Sequence, residues 1–168
     1  MIDEFWRYYQ QYYFAYFYHD YERAYLLRCL RLVSILTYLV TAIALAWWSV
    51  VQRYAAVWSV IIFASQVANN LKDQFNVGKR AWMLEAYLEN LARDLEGMSE
   101  CWRTILMGNL TEGEIHGKMT FWASHYTGYE DKYIRPCSQR NYKRFEKKAN
   151  TRANAELEIK HGKGVEDV

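Results

Sequence analysis

The side chains best suited to metal binding or nucleophilic catalysis, the cysteines and histidines, are widely separated in this sequence of 168 residues. Cys29, Cys101 and Cys137 form no C-x-x-C pair, and no histidine stands beside them at metal-ligand spacing. A zinc site and a disulfide framework both need such spacing, so the sequence predicts no metal, no cofactor and no disulfide. Reduced thiols are typical of the cytoplasm.

Enzyme motifs are also missing around the histidines. The sequence contains no G-x-S-x-G, no phosphate-binding loop and no H-E-x-x-H pattern. The four histidines stand apart from any serine or cysteine that they could activate; they are His19, His116, His125 and His161. We therefore expect a protein that is not an enzyme and has no catalytic residues.

Polar side chains inside two apolar runs are the first candidates for function. Three of them share one helical face in the run 32–52, and three share a face in the run 54–71. In lipid, a polar face must contact protein or water, because an unpaired polar group in hydrocarbon is costly. The two interpretations are a pore lining and close helix-to-helix packing. The candidates are Ser34, Thr37, Thr41, Ser59, Gln66 and Asn70.

A basic segment near the C-terminus is the second candidate. Three interpretations stay open: attraction to anionic lipid, capture of a soluble anionic signal such as a nucleotide or oligonucleotide, and plain solubility. The spacing does not select among them. The candidate signal-binding residues are Arg140, Lys143, Arg144, Lys147 and Lys148.

The apolar runs themselves predict a transmembrane hairpin. Arg31 and Arg53 bound the first run, which is long enough at about 1.5 Å per residue to cross a hydrocarbon core of roughly 30 Å. The second run follows Arg53 directly and ends before Lys72. Basic residues are more frequent outside the hairpin than in its turn, so both termini should be cytoplasmic. The alternative is two buried helices in a soluble core.

Aromatic residues crowd the segment that precedes the hairpin. Phe5, Tyr9, Tyr12 and Tyr16 follow helical spacing. Such a helix suits the membrane interface, where a ring buries its body and keeps its hydroxyl in water. Equally, it could pack on the other cytoplasmic helices.

Two heptad seams follow the hairpin and meet at a short loop. Thr111 and Glu114 have the T-x-x-E spacing of a capping box, which begins the second helix. Apolar residues at alternating spacings of four and three describe a coiled-coil seam or the core edge of a helical hairpin. The seam residues are Leu84, Leu88, Leu91, Leu95, Met98, Trp102, Ile115, Met119, Trp122 and Tyr126.

Several local strings resemble those of a bacterial family. They are Ser65-Gln66-Val67-Ala68-Asn69 at the end of the second run, Lys79-Arg80 at the start of the long helix, and Trp102 followed by Leu110-Thr111-x-x-Glu114-Ile115. With the layout of roughly residues 20–134, they resemble the SLATT group of two-transmembrane effectors in bacterial anti-phage and conflict systems. That resemblance implies an effector that oligomerises and permeabilises or depolarises the inner membrane when a nucleotide signal, its synthase or a partner protein reports infection.

The expected architecture is an all-α membrane protein with four parts. They are an N-terminal aromatic helix (1–31), a two-span transmembrane hairpin (32–71), a cytoplasmic antiparallel helical hairpin (72–134) and a mobile basic tail (135–168). The expected function is an oligomeric pore of the bacterial inner membrane, a tetramer or larger. The competing functions are a non-conducting membrane anchor or scaffold that recruits a partner enzyme, and a phage holin.

Overall fold

The computed structural model describes residues 1–46, 54–74, 77–136 and 142–161, and within these ranges every regular element is helical. The all-α prediction is therefore confirmed. Five α-helices occur in the described ranges, with a π-helical turn at Glu130–Ile134 after the fourth. They are α1 (Ile2–Ala46), α2 (Ala55–Gln74), α3 (Val77–Leu106), α4 (Glu112–Tyr129) and α5 (Lys143–His161).

Helix α1 is one continuous element, whereas the sequence predicted a division between residues 31 and 32. No glycine or proline occurs in Ile2–Ala46, so nothing in the backbone interrupts the helix. The change from aromatic to aliphatic composition alters what the helix contacts without breaking it. The turn that would join the two apolar runs, with Arg53, lies outside the described residues.

The chain divides into two compact units at boundaries different from the expected ones. The first, which we call the bundle unit, combines Met1–Arg23 with Met83–Val168. The second, which we call the apolar unit, is Ala24–Trp82. The aromatic N-terminal segment is therefore part of the same unit as the helices that follow the apolar runs.

Aromatic and aliphatic side chains from α1, α3 and α4 form the core of the bundle unit. Phe5 is fully buried and stacks on Trp102, with ring centroids 6.0 Å apart. Trp122 meets the same Phe5 ring edge-on at 5.9 Å. Of the two interpretations of the aromatic segment, the structure therefore shows packing on other helices, because burial of rings this large stabilises the core strongly.

The α3–α4 turn has the predicted chemistry. Gly108 adopts a positive φ of 71°, which residues with a side chain rarely adopt. Thr111 accepts a hydrogen bond from the backbone N–H of Glu114, and the Glu114 carboxylate accepts one from the backbone N–H of Thr111. The Thr111 backbone N–H and the Thr111 hydroxyl both donate to the Glu114 carboxylate, which holds the pKa of that carboxyl below its usual value. The predicted capping box is confirmed.

The C-terminal segment expected to be a mobile tail is instead a packed helix over most of its length. Helix α5 buries a stripe at four-residue spacing, made of Phe145, Ala149, Ala153 and Leu157. Two alanines add little to a hydropathy pattern, so the basic composition hid this stripe. The prediction of mobility is therefore wrong for Lys143–His161.

Candidate functional site

The apolar unit is covered by exposed hydrophobic side chains. An 18-residue window within Ile2–Ile43 has a mean hydropathy of 1.8, yet only 6% of that window is buried. A core helix of a soluble protein would be mostly buried, whereas an exposed apolar surface of this kind is typical of a helix that contacts lipid or another protein. The largest exposed side chains of the unit include Leu32, Ile35, Leu36, Tyr38, Leu39, Val57, Val60 and Phe63.

Only one described helix, α1, is long and apolar enough to cross a membrane. The apolar part of α2, Ala55–Ala68, is shorter. Length and composition thus support membrane association through α1. The predicted second span would have to be formed by the shorter apolar segment of α2.

The hydroxyl groups proposed to line a pore bind their own helix. Ser34, Thr37 and Thr41 donate to the carbonyl oxygens four residues earlier at 3.0, 2.9 and 2.9 Å. Ser59 does the same to Ala55 at 2.8 Å. A hydroxyl bonded in this way has satisfied its donor, so it can face lipid at little cost. The expectation that these four residues require an outside partner is therefore wrong for their donors.

Two amide residues of the predicted polar face remain. Gln66 and Asn70 are both exposed on α2, one helical turn apart. An amide has two N–H donors and a carbonyl oxygen, more than a helix backbone satisfies. Any requirement of the apolar unit for water or a polar partner is therefore strongest at these two residues.

The predicted signal-binding residues lie on one face of α5 where they are described. Lys143, Arg144, Lys147 and Lys148 are exposed. Arg140 lies outside the described residues. The structure therefore assembles a basic face on a folded helix, in place of the flexible cluster expected from sequence.

The heptad seams lie inside the bundle unit. Met119 and Tyr126 are half-buried, and the other eight seam residues are buried. Helix α1 supplies part of their surroundings, since Phe5 and Trp6 contact Trp102 and Tyr12 contacts Tyr126. Contacts within the chain thus cover much of these seams.

A buried polar cluster in the bundle unit was not predicted from the sequence. The Asp94 carboxylate on α3 is buried, and its Oδ1 lies 3.5 Å from Nδ1 of His125 on α4. The Tyr129 hydroxyl lies 3.3 Å from the same Nδ1. Burial raises the pKa of the Asp94 carboxyl. The sequence signal for this cluster is the charged Asp94 directly before the seam residue Leu95. Its partner His125 is on another helix, so spacing cannot identify it.

Tyrosine hydroxyls extend this cluster toward α1. Tyr12 donates a hydrogen bond of 2.6 Å to the carbonyl oxygen of Trp122. Burial raises the pKa of Tyr12, and it raises the pKa of Tyr126 to about 12. Both phenols are therefore neutral at physiological pH. The Tyr12 hydroxyl joins α1 to α4 by its hydrogen bond, and the Tyr126 ring packs 5.1 Å from the Tyr12 ring.

A cleft of about 730 Å³ opens in the bundle unit between α1, α3 and α5. Its lining combines acidic and basic side chains, including Glu96, Arg103 and Glu156. Two further cations contact its aromatic floor: Arg152 stacks 4.8 Å from the Phe17 ring, and Lys160 donates to the Tyr13 hydroxyl at 2.9 Å. The mixed charge selects no single class of ligand. In the described part of the chain, no three His, Cys, Asp or Glu side chains are grouped to hold a metal.

Comparison with known proteins found no match among protein families, curated proteins or solved structures.

Proposed function

We propose that this protein is a non-enzymatic, homo-oligomeric effector of the bacterial inner membrane that conducts ions or disrupts the bilayer when an infection-related signal activates it. The signal is a nucleotide or a partner protein, and the outcome is abortive infection. The proposal rests on the surface of the apolar unit together with the resemblance to two-transmembrane effectors.

The observation that carries the proposal is the exposure of large aliphatic side chains on α1. Leu36 is 61% exposed and Leu32 is 60% exposed, although both lie in the most apolar part of the helix. Transfer of such surface from water to hydrocarbon is favourable by about 25 cal/mol per Å². A bilayer supplies that hydrocarbon on all sides of the helix, which supports membrane insertion.

In the proposed topology, α2 forms a second span. Ala55–Ala68 covers about 20 Å at 1.5 Å per residue, against a hydrocarbon thickness of roughly 30 Å. Bilayers thin locally around a short span at modest cost, and oligomers share that deformation. Arg28 and Arg31 precede the first span, and Lys79 and Arg80 follow the second, which supports cytoplasmic termini.

Oligomerisation is supported by the amide of Gln66. In hydrocarbon, its exposed N–H and carbonyl groups need partners, which a neighbouring copy or a column of water would supply. Two spans cannot enclose a water path alone, so a pore requires several copies.

A non-conducting anchor or scaffold is the second candidate, and the serine and threonine hydroxyls favour it. Because each one donates to its own helix, the face that carries them does not require water. Such a protein would hold a partner enzyme at the membrane through its cytoplasmic helices.

Membrane potential in infected cells separates these two functions. With a voltage-sensitive dye, cells that express the protein are expected to depolarise after phage infection supplies the signal. Gln66→Glu is expected to change the ion selectivity of the resulting current, because it puts a charge on the polar face. Ser65→Ala is the matched control, since Ser65 lies off that face and donates to the Ile62 carbonyl. An unchanged potential, with the protein verified in the membrane, contradicts the pore and favours the scaffold.

A further inference from the structure

The first two turns of α5 present a continuous basic face. At 100° per residue, Lys143, Arg144, Lys147 and Lys148 fall on one side of the helix, and the buried stripe that begins with Phe145 falls on the opposite side. All four basic residues are exposed. The helix is therefore fixed by its apolar side. Lys143, Lys147 and Lys148 are exposed on the other side, and the Arg144 guanidinium lies 5.1 Å from the Phe145 ring centroid.

Later basic residues of α5 are used differently. Arg152 stacks on the Phe17 ring, and Lys160 donates to the Tyr13 hydroxyl, so both contact α1. By contrast, Lys143, Lys147 and Lys148 make no ion pair with any residue that the structure describes. The cations in the later turns of α5 therefore help to attach the helix to α1, whereas the three lysines in its first turns are available to a partner.

Contacts within the bundle unit show which of its ends carries this face. The Tyr142 N–H, just before α5, donates to the Tyr18 hydroxyl at 3.1 Å. At the other end of α5, His161 Nε2 lies 3.3 Å from the Tyr9 hydroxyl. Helix α5 therefore runs antiparallel to α1. Its basic turns lie by Tyr18, at the C-terminal end of the bundle unit's part of α1, Met1–Arg23.

We propose that the basic face of α5 is a contact surface for the headgroups of anionic phospholipids. The proposal rests on the membrane location proposed above. The charges are complementary, because an anionic leaflet attracts juxtamembrane basic residues, with roughly a fivefold gain in binding for each one. The chemistry recognised is a surface of phosphate groups, and the docked helix presents its cations to that surface together.

The test compares the reactivity of individual lysines in full-length protein. The protein is incorporated into nanodiscs of phosphatidylcholine alone and of phosphatidylcholine with phosphatidylglycerol. Acylation rates at Lys143, Lys147 and Lys148 are then measured by mass spectrometry. Lys118, which is exposed on α4, is the internal control for general effects of surface charge on amine reactivity. We expect the α5 lysines to react about fivefold more slowly, relative to Lys118, when phosphatidylglycerol is present. High salt should remove the difference.

Two results would overturn the inference. Equal ratios to Lys118 in both nanodiscs would show that the face does not contact anionic lipid. Protection in phosphatidylcholine nanodiscs only after addition of inorganic triphosphate would assign the face to a soluble anion. Ion conduction is measured separately: lipid-dependent protection without conduction contradicts only the pore, and conduction without protection contradicts only this inference.

Discussion

Truncation of Leu157 should weaken the attachment of α5 far more than truncation of Ile159 on the same helix. Leu157 is 3% exposed, whereas Ile159 is 79% exposed. Buried leucine-to-alanine changes cost 2–5 kcal/mol, from lost burial and the cavity left behind, so we expect about 3 kcal/mol for Leu157→Ala. Ile159→Ala removes a similar volume from the surface, where substitutions stay within about 0.5 kcal/mol.

Hydrogen exchange of the α5 amides measures this difference in full-length protein in detergent. Where opening and closing are fast, exchange reports the equilibrium population of the open state. A loss of about 3 kcal/mol corresponds to about 100-fold faster exchange in Leu157→Ala, because each 1.4 kcal/mol is a factor of ten. Ile159→Ala should exchange within about threefold of the parent protein.

Equal exchange in the two variants would contradict a role for the burial of Leu157 in holding α5. If both resembled the parent, the burial of Leu157 would not hold α5 in place. If both were strongly accelerated, the difference in burial between Leu157 and Ile159 would not decide the stability of α5, since alanine itself favours the helix. Only the asymmetric result supports a docked helix whose basic face is held outward.

Three further predictions concern the bundle unit, and each is measured by unfolding in detergent. Tyr12→Phe removes the donor to the Trp122 carbonyl and should lower the free energy of unfolding by about 1 kcal/mol. Tyr16→Phe is the control, and an equal loss of stability in that variant would contradict a specific role for the Tyr12 hydrogen bond. Thr111→Ala removes the capping box and should also lower the free energy of unfolding by about 1 kcal/mol. Thr120→Ala, on the exposed side of α4, should change stability little. A smaller loss of stability at Thr111 than at Thr120 would contradict the role of the cap. Burial raises the folded-state pKa of Asp94, so its contribution to stability is full below the unfolded pKa and is lost as pH rises through the folded pKa. Asp94→Asn should therefore unfold like the parent at about pH 3 and be more stable than the parent at about pH 8, and the opposite trend would contradict the raised pKa.

Sequence patterns predicted those parts of the fold that depend on local spacing. Leu91 and Met98 are fully buried, as residues of a 3.5-residue repeat should be when the repeat faces a core. Thr111 caps the start of α4 because its side chain needs only a residue three positions away. Such features are encoded within a few turns of one helix.

Features that depend on contacts between distant segments could not be predicted in this way. Asp94 is buried beside His125, and Tyr12 reaches Trp122, only because α1, α3 and α4 pack together. The stripe through Ala149 and Ala153 carries too little hydrophobicity to stand out from the surrounding charges, although both residues are buried in the structure. Spacing identified the polar face that contains Thr37, but could not show that its hydroxyl would donate to the Val33 carbonyl.

The environment of the exposed apolar side chains shows directly whether the apolar unit inserts into a membrane. Spin labels are placed singly at Leu36 and Val60, after replacement of the native cysteines, and a label at Lys118 is the control. In proteoliposomes, collision with oxygen and with a water-soluble nickel complex is measured at each site. We expect the labels at Leu36 and Val60 to collide mainly with oxygen, as in lipid, and the label at Lys118 to collide with the nickel complex. Strong nickel collision at Leu36 and Val60 would contradict membrane insertion.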